Sequence, residues 1–212
     1  MSTISASLFS SITKVTRAEA LKVIHCLPTN STYQLIGKLI FGTGMRVNEC
    51  RSLRVKDLDF ARSLIVIRDG KGEQNRITML PESLVIPLNE HLVRVSQLHE
   101  RDLSQGNGCV DLPYALTEKY PNANITLGWQ YLFPSAGLST DPRTTDKNRI
   151  VLYRHHLHDT ALQRAIAKAA KMAGMVKPVG PHTFRHYAEF RTMPSSRLRS
   201  PFQRVFVREY SA

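Results

Sequence analysis

The 212-residue sequence contains few cysteines and no long apolar run. Its three cysteines, Cys26, Cys50 and Cys109, lie far apart and lack metal-site spacing, so we expect reduced thiols in a cytoplasmic protein. No stretch of about 18 apolar residues is present, which argues against a membrane-spanning helix. Residues 1–11 lack the charged start of a signal peptide. These absences disfavour membrane and disulfide-stabilised secreted proteins.

Acidic residues are scarce relative to basic ones. The chain has 17 Asp and Glu against 29 Lys and Arg, which gives a formal net charge of +12. A basic domain of this size indicates a polyanionic partner, and nucleic acid is the first candidate. The alternative is a basic surface that only maintains solubility. With 42% hydrophobic residues, the chain is long enough for one main core.

A glycine-containing turn follows an apolar helix predicted over residues 33–41. Gly42 and Gly44 are expected to break this helix, because glycine accepts left-handed backbone angles. A second helix should begin near Arg46, where unpaired backbone N–H groups favour a phosphate. Glu49 follows three residues later on the same face and is placed to hold Arg46. The alternative is an ordinary helix–turn–helix joint with a surface arginine.

A β-hairpin is predicted next. Residues 63–68 and 76–80 are rich in β-branched and apolar side chains, and Asp-Gly between such runs is a strong turn signal. Lys71 would lie at the tip of this hairpin. There it either enters a DNA groove or simply solubilises the turn.

The middle of the chain combines a long amphipathic helix with an irregular segment. Helical periodicity runs from Leu84 to Leu98, and residues 107–150 are too long for an idle loop. Its aromatic residues suggest docking on a partner, or packing on its own domain. In the following Arg154–Asp159 run, three histidines this close cannot all face one ion, so we expect no metal. Contacts from His155 and His156 to a DNA backbone, or simple entry into the following helix, are the preferred interpretations.

A second helix start near the end of the chain carries His182 and Arg185. Their spacing of three residues places both side chains on one face of the first helical turn, as a further phosphate-binding pair. After residue 187 the composition changes, with five arginines and no lysine over residues 188–212.

An arginine after a glycine turn, a hairpin lysine and a later His-x-x-Arg occur here in a specific order. The sequence resembles the catalytic domain of tyrosine recombinases, and among them it is most similar to integron integrases. The matching motifs include Gly42-Thr43-Gly44-Met45-Arg46, Asp69-Gly70-Lys71-Gly72, Met79-Leu80-Pro81-Glu82-Ser83, Leu112-Pro113-Tyr114-Ala115-Leu116, Trp129-Gln130, Arg154-His155-His156 and His182-Thr183-Phe184-Arg185-His186.

The resemblance implies a role for each matching residue. Arg46 and Arg185 would clamp the scissile phosphate, and Lys71 would protonate the leaving 5′ oxygen. His182 would act as general acid/base or hydrogen-bond donor. Two residues, Glu49 and His186, would support this set. In the family a tyrosine attacks the phosphate and forms a phosphotyrosine, which needs no cofactor.

The resemblance also implies a fold, a division of the chain and partners. We expect an α+β, mainly α catalytic-domain fold with a small antiparallel sheet and its C-terminal part missing. Residues 1–15 would be a flexible N-terminus, 16–187 an incomplete catalytic domain with an integron-type insertion at about 107–157, and 188–212 an atypical Arg-rich tail. The partner would be double-stranded or folded single-stranded DNA in a bacterial cytoplasm. Family members act as tetramers on two DNA sites, whereas we expect this chain to be a monomer.

The family pattern is interrupted where the nucleophile should be. Tyr187 is too close to Arg185 to attack the phosphate, and Tyr210 lies 25 residues past Arg185 with no predicted helix leading to it. The nucleophile is therefore left unassigned. We expect a truncated recombinase that binds DNA without completing catalysis. The alternatives are an active recombinase, an inert gene remnant and a basic RNA-binding helical domain.

Overall fold

The computed structural model describes residues 15–68, 75–112, 119–120, 122–140, 152–186 and 188. Two predicted features, Lys71 and the tail over 189–212, therefore lie outside the described residues, as do Tyr187 and Tyr210. The described α-helices are α1 (Arg17–Cys26), α2 (Thr32–Thr43), α3 (Val47–Arg51), α4 (Val85–Ser104), α5 (Asp159–Met172) and α6 (Pro181–His186). The strands are β1 (Leu58–Asp59), β2 (Leu64–Ile67), β3 (Arg76–Met79), β4 (Ser139–Thr140) and β5 (Leu152–Tyr153).

Local capping explains where the first helices begin. The Thr16 hydroxyl accepts a hydrogen bond from the Glu19 backbone at 3.2 Å, and the Glu19 carboxylate accepts from the Thr16 backbone at 2.6 Å. This reciprocal pair satisfies two backbone donors at the start of α1. At the start of α2, the Ser31 hydroxyl accepts from the Gln34 backbone at 3.2 Å. Val15, from the segment expected to be flexible, is buried in the core.

The turn after α2 differs in one respect from the prediction. Gly44 ends the helix with a left-handed φ of 69°, and its N–H donates to the Ile40 carbonyl at 2.9 Å. Gly42, however, lies inside α2 and does not break it. A Cβ on Gly42 would lie 2.8 Å from Cγ of Pro81, so this glycine permits close packing rather than a turn. The expectation that both glycines break the helix was wrong for Gly42.

The predicted hairpin strands, β2 and β3, pair as expected, and β1 joins β2 to form a three-stranded antiparallel sheet in the order β1-β2-β3. Ile65 pairs with Thr78, and Ile67 pairs with Arg76. A second, two-stranded antiparallel sheet joins β4 to β5. Together with the dominant helices, these small sheets confirm the predicted α+β, mainly α fold.

One hydrophobic core unites the helices with the sheet. Four apolar residues of α2, Leu35, Ile36, Leu39 and Ile40, are buried there, and α1 packs on α5 while α2 packs on α6. The core residues include Ile24, Leu35, Ile36, Leu39, Ile40, Ile65, Ile67, Leu88, Leu162, Ile166 and Phe184. Because α2 packs against α6, the helix that carries Arg185 lies against the helix that leads into the Arg46 turn.

The irregular segment after α4 packs on its own domain in the part that the structure describes. Leu132 and Phe133 are fully buried in the main core. The Leu132 N–H donates to the Leu53 carbonyl at 2.7 Å, and the Val55 N–H donates to the Gln130 carbonyl at 3.0 Å. These contacts favour the second of the two alternatives raised for this segment. Among the described helices, none is long and apolar enough to cross a membrane.

Candidate functional site

Arg46 immediately precedes α3 and is fixed by Glu49, as the sequence predicts. Its Nη1 donates to Oε1 of Glu49 at 2.6 Å, and its backbone N–H donates to Oε2 at 2.7 Å. The Glu49 side chain is only 5% exposed, whereas that of Arg46 is 43% exposed. Glu49 therefore acts as a buried support, and the Arg46 guanidinium keeps access to solvent and to a ligand.

Arg76 is a second arginine on the same carboxylate. It opens β3, and its Nη2 donates to Oε2 of Glu49 at 2.7 Å. No pattern in the sequence indicates this contact. Strand alternation places Arg76 on the face of Thr78, and two polar residues on one face predict a solvent-facing side. Thr78 is in fact buried, so this face lies against the domain.

The pKa of the Glu49 carboxyl is held below its ordinary value by these donors. Burial on its own would raise the pKa, because it disfavours the charged form. Hydrogen bonds from the Arg46 backbone and from the Arg76 and Arg46 guanidiniums outweigh burial. Glu49 is therefore a carboxylate at neutral pH.

Arg185 completes the cluster from α6. Burial lowers the pKa of its guanidinium first of all, and repulsion from Arg46 and Arg76 adds to this, while attraction to Glu49 opposes it. Its Nη1 is buried and, within the described residues, has no hydrogen-bond partner. An unpaired charged donor in a protein interior is costly unless a ligand completes it.

We call Arg46, Arg76, Arg185 and Glu49 the arginine cluster. It combines three cationic side chains with one carboxylate, all linked by hydrogen bonds or direct electrostatic interaction. The excess of positive charge and the unpaired Nη1 favour an oxyanion, and planar guanidiniums suit phosphate oxygens. The cluster is thus a candidate phosphate-binding site.

The other predicted site residues have different surroundings. His182 and His186 lie on α6 with Arg185, and both are exposed. Exposure leaves the His182 ring accessible to a ligand. Lys71, which the resemblance places with these residues, stays a prediction because it lies outside the described part of the chain.

His155 and His156 are both half-buried in the segment that precedes α5. The His156 ring donates from Nδ1 to the Leu157 carbonyl at 3.1 Å and meets Tyr131 edge-on, with centroids 5.2 Å apart. Burial lowers the pKa of this imidazole, outweighing the hydrogen bond to Leu157. Its packing explains its place in the fold, and its contact with DNA stays a prediction. No group of three potential metal ligands occurs within the described ranges.

Comparison with known proteins shows the family to which this domain belongs. A family model described as "Phage integrase family" matches residues 14–193. The chain therefore belongs to the phage integrase family of tyrosine recombinases.

Individual relatives share parts of the chain. Proteins named "Integrase/recombinase" from Escherichia coli and Pseudomonas aeruginosa are each 44% identical over 154 residues, which is 73% of this chain and 44% of each relative. Tyrosine recombinase XerA from Thermococcus onnurineus (strain NA1) is 38% identical over 79 residues, covering 37% of this chain and 28% of XerA. The chain thus spans less than half the length of these relatives.

Among solved structures, a crystal structure of XerA recombinase aligns with 82% of this chain and 46% of its own chain. The TM-score is 0.49 and the sequence identity is 25%.

Proposed function

We propose that this chain binds double-stranded DNA through a backbone phosphate held at the arginine cluster. The observation that carries the proposal is the buried Nη1 of Arg185, which lacks a partner in the described part of the chain and lies within a group of excess positive charge. A phosphate diester bears one negative charge and two free oxygens, so it can satisfy Arg46 and Arg185 together. The net charge of +12 supports a polyanionic partner as well.

The recombinase role is the wider part of this proposal. Family membership suggests site-specific DNA strand cleavage and rejoining, and the motifs over residues 107–157 favour the integron integrase branch. Arg46 and Arg185 would stabilise the charge that develops on the phosphate, with His182 as a proton donor or acceptor beside them. Lys71 would act as the acid for the leaving oxygen.

We further propose that this chain binds DNA without cleaving it. Of its seven tyrosines, Tyr131 is buried and packed against His156, which does not suit an attacking hydroxyl. Tyr187 and Tyr210 have sequence positions that fit the family interval poorly.

Folded single-stranded DNA is a second form of the substrate. An inert remnant and an RNA-binding domain are the rival functions.

Titration of a labelled duplex against the protein tests the binding proposal. Because phosphate contacts release counterions, we expect affinity to fall steeply between low and physiological salt. Arg46→Met and Arg185→Met should each weaken binding more than Arg62→Met, which removes the same charge from an exposed side chain that pairs with Asp59. An affinity independent of salt, or equal losses in all three variants, would reject the arginine cluster as the DNA site.

A nicked suicide duplex tests the second proposal. Such a substrate traps any phosphotyrosine as a protein–DNA band on a denaturing gel. We expect no band, because charge-stabilising arginines cannot replace an attacking group. A band that disappears in Tyr210→Phe would identify that tyrosine as the nucleophile and overturn the proposal. A band that persists would direct attention to Tyr187→Phe.

A further inference from the structure

Glu49 accepts hydrogen bonds from two different arginines. Its Oε1 is occupied by Nη1 of Arg46 at 2.6 Å. Its Oε2 accepts from the Arg46 backbone and from Nη2 of Arg76, both at 2.7 Å. A carboxylate offers about four acceptor positions, so most of those on Glu49 are in use.

Arg185 is close enough to Glu49 to be attracted by its charge, yet no hydrogen bond joins the two side chains in the described structure. The Nη1 of Arg185 instead stays buried and unpaired within the described residues. The Glu49 carboxylate is thus committed to Arg46 and Arg76, although its charge also attracts Arg185.

We propose that Arg76 is a positioning residue that holds Glu49 on Arg46 and away from Arg185. By occupying Oε2, Arg76 keeps Nη1 of Arg185 free for a phosphate oxygen. The inference rests on the proposed function only in taking DNA phosphate as the ligand. Arg76 itself acts through Glu49 and is not assigned a contact with the phosphate.

The proposal predicts a specific change in the pairing of Glu49 when Arg76 is removed. Without its Nη2, Oε2 of Glu49 keeps the hydrogen bond from the Arg46 backbone but loses its charged donor, and a buried carboxylate with fewer cationic partners is costly. The guanidinium of Arg185, which is half-buried with its Nη1 unpaired among the described residues, is the cation available to replace it. The resulting Glu49–Arg185 pair would compete directly with the phosphate.

The experiment uses Arg76→Met alone and combined with Glu49→Gln. Duplex affinity is measured by fluorescence anisotropy well below the melting temperature of every variant. Arg76→Met should bind about tenfold more weakly than Arg62→Met, which removes the same charge. Adding Glu49→Gln should restore most of this loss, because the neutral amide cannot hold Arg185 as an ion pair. Arg76→Lys, which keeps a charged donor, should lose less than Arg76→Met.

A matched control separates this rescue from a change in overall charge. Asp59→Asn in the Arg76→Met background also restores one unit of charge, but it does so at an exposed pair with Arg62. It should not restore binding. Equal rescue by Asp59→Asn and Glu49→Gln would overturn the proposal. So would a double variant Arg76→Met/Glu49→Gln whose losses of affinity simply add and whose melting temperature is lower. In Arg76→Met, the slope of log affinity against log salt concentration could instead fall by about 0.9 with no rescue by Glu49→Gln. That result would make Arg76 a direct phosphate ligand.

A second readout needs no DNA. The ¹H–¹⁵N signal of the Arg185 guanidinium in the free protein should shift in Arg76→Met and return when Glu49→Gln is added. An unchanged signal would overturn the role of Arg76 whatever the affinities show. If the wild-type protein does not bind the duplex, the proposed function fails, while this signal still decides whether Arg76 controls the pairing of Glu49.

Discussion

Arg154 and Arg185 are both partly buried arginines beside a carboxylate, but they differ in how many of their N–H groups have hydrogen-bond partners. Arg154 donates through Nε and Nη2 to the two oxygens of Asp102, and through Nη1 to the carbonyls of Ser135 and Ala136. In Arg185, Nη1 is buried and unpaired among the described residues, and neighbouring arginines repel the guanidinium. One guanidinium is saturated by the protein, and the other is left incomplete.

The difference separates a structural use of arginine from a ligand-binding one. The Asp102–Arg154 pair joins α4 to the backbone on either side of the small β4–β5 sheet, with both side chains at most 10% exposed. Its charges cancel and every guanidinium nitrogen of Arg154 already donates a hydrogen bond, so the pair offers little to a phosphate. The arginine cluster has excess positive charge and an open donor, which is the condition for anion binding.

The largest expected effect on stability comes from Arg154→Met. The substitution leaves the Asp102 carboxylate buried without its cation, which should cost about 3–5 kcal/mol of the free energy of unfolding. Urea denaturation measures this loss. Duplex affinity of the folded variant, measured at low temperature, should stay close to that of the wild type.

The double variant Arg154→Met/Asp102→Leu is the control for this substitution. It removes both charges and should recover part of the lost stability, because the penalty arises mainly from the unpaired carboxylate. A large loss of DNA affinity in stably folded Arg154→Met would break the distinction between the two arginines.

Arg185→Met should show the opposite pattern. Loss of a charged hydrogen bond to phosphate is worth about 1.5–3 kcal/mol, so duplex affinity should fall at least about tenfold. Stability in urea should be unchanged or slightly higher, because the burial cost and the repulsion from Arg46 and Arg76 disappear. A marked destabilisation with unchanged affinity would show that Arg185 has a structural role like that of Arg154.

Much of this fold follows from local sequence signals. The apolar helix over residues 33–41 and the hairpin of β2 and β3 were predicted from local composition and turn signals, and the structure confirms them. The Arg46–Glu49 contact was also predictable, because residues three apart meet on a helix surface. Each of these features depends on neighbours within a few positions of the chain.

The features that sequence reasoning missed depend on tertiary contacts. Gly42 looks like a helix breaker until Pro81 is found against it, 39 positions away in sequence. The role of Arg76 depends on Glu49, which precedes it by 27 positions. Asp102 looks like one of many polar residues near the end of α4, and its burial becomes clear only when Arg154 packs on it. No periodicity in the sequence encodes such pairings.

The pH dependence of stability tests the charge of Glu49, the carboxylate of the arginine cluster. Its pKa is lower in the folded chain than the unfolded value of about 4.3, so its ionisation stabilises the fold. This contribution is fully present above the unfolded pKa and is lost as the pH falls through the folded pKa. The stability difference between wild type and Glu49→Gln in urea should therefore be constant near neutral pH and shrink below about pH 4. A difference that grows on acidification would contradict the sign of this pKa shift.

The smallest effect is expected for Arg62→Met, which tests a third kind of arginine–carboxylate pair. Nη1 of Arg62 donates to Oδ2 of Asp59 at 2.9 Å, but the Arg62 side chain is 55% exposed. Water solvates both partners when they separate, so the exposed pair should contribute no more than about 1 kcal/mol. Urea denaturation should show a change within this limit, and the change should diminish further in high salt because exposed charges are screened. Affinity for the duplex should decline only by the small amount expected from one lost surface charge.

A loss of stability in Arg62→Met comparable to that in Arg154→Met would mean that burial does not set the strength of these pairs. The contrast between the saturated and the incomplete arginine would then need another explanation.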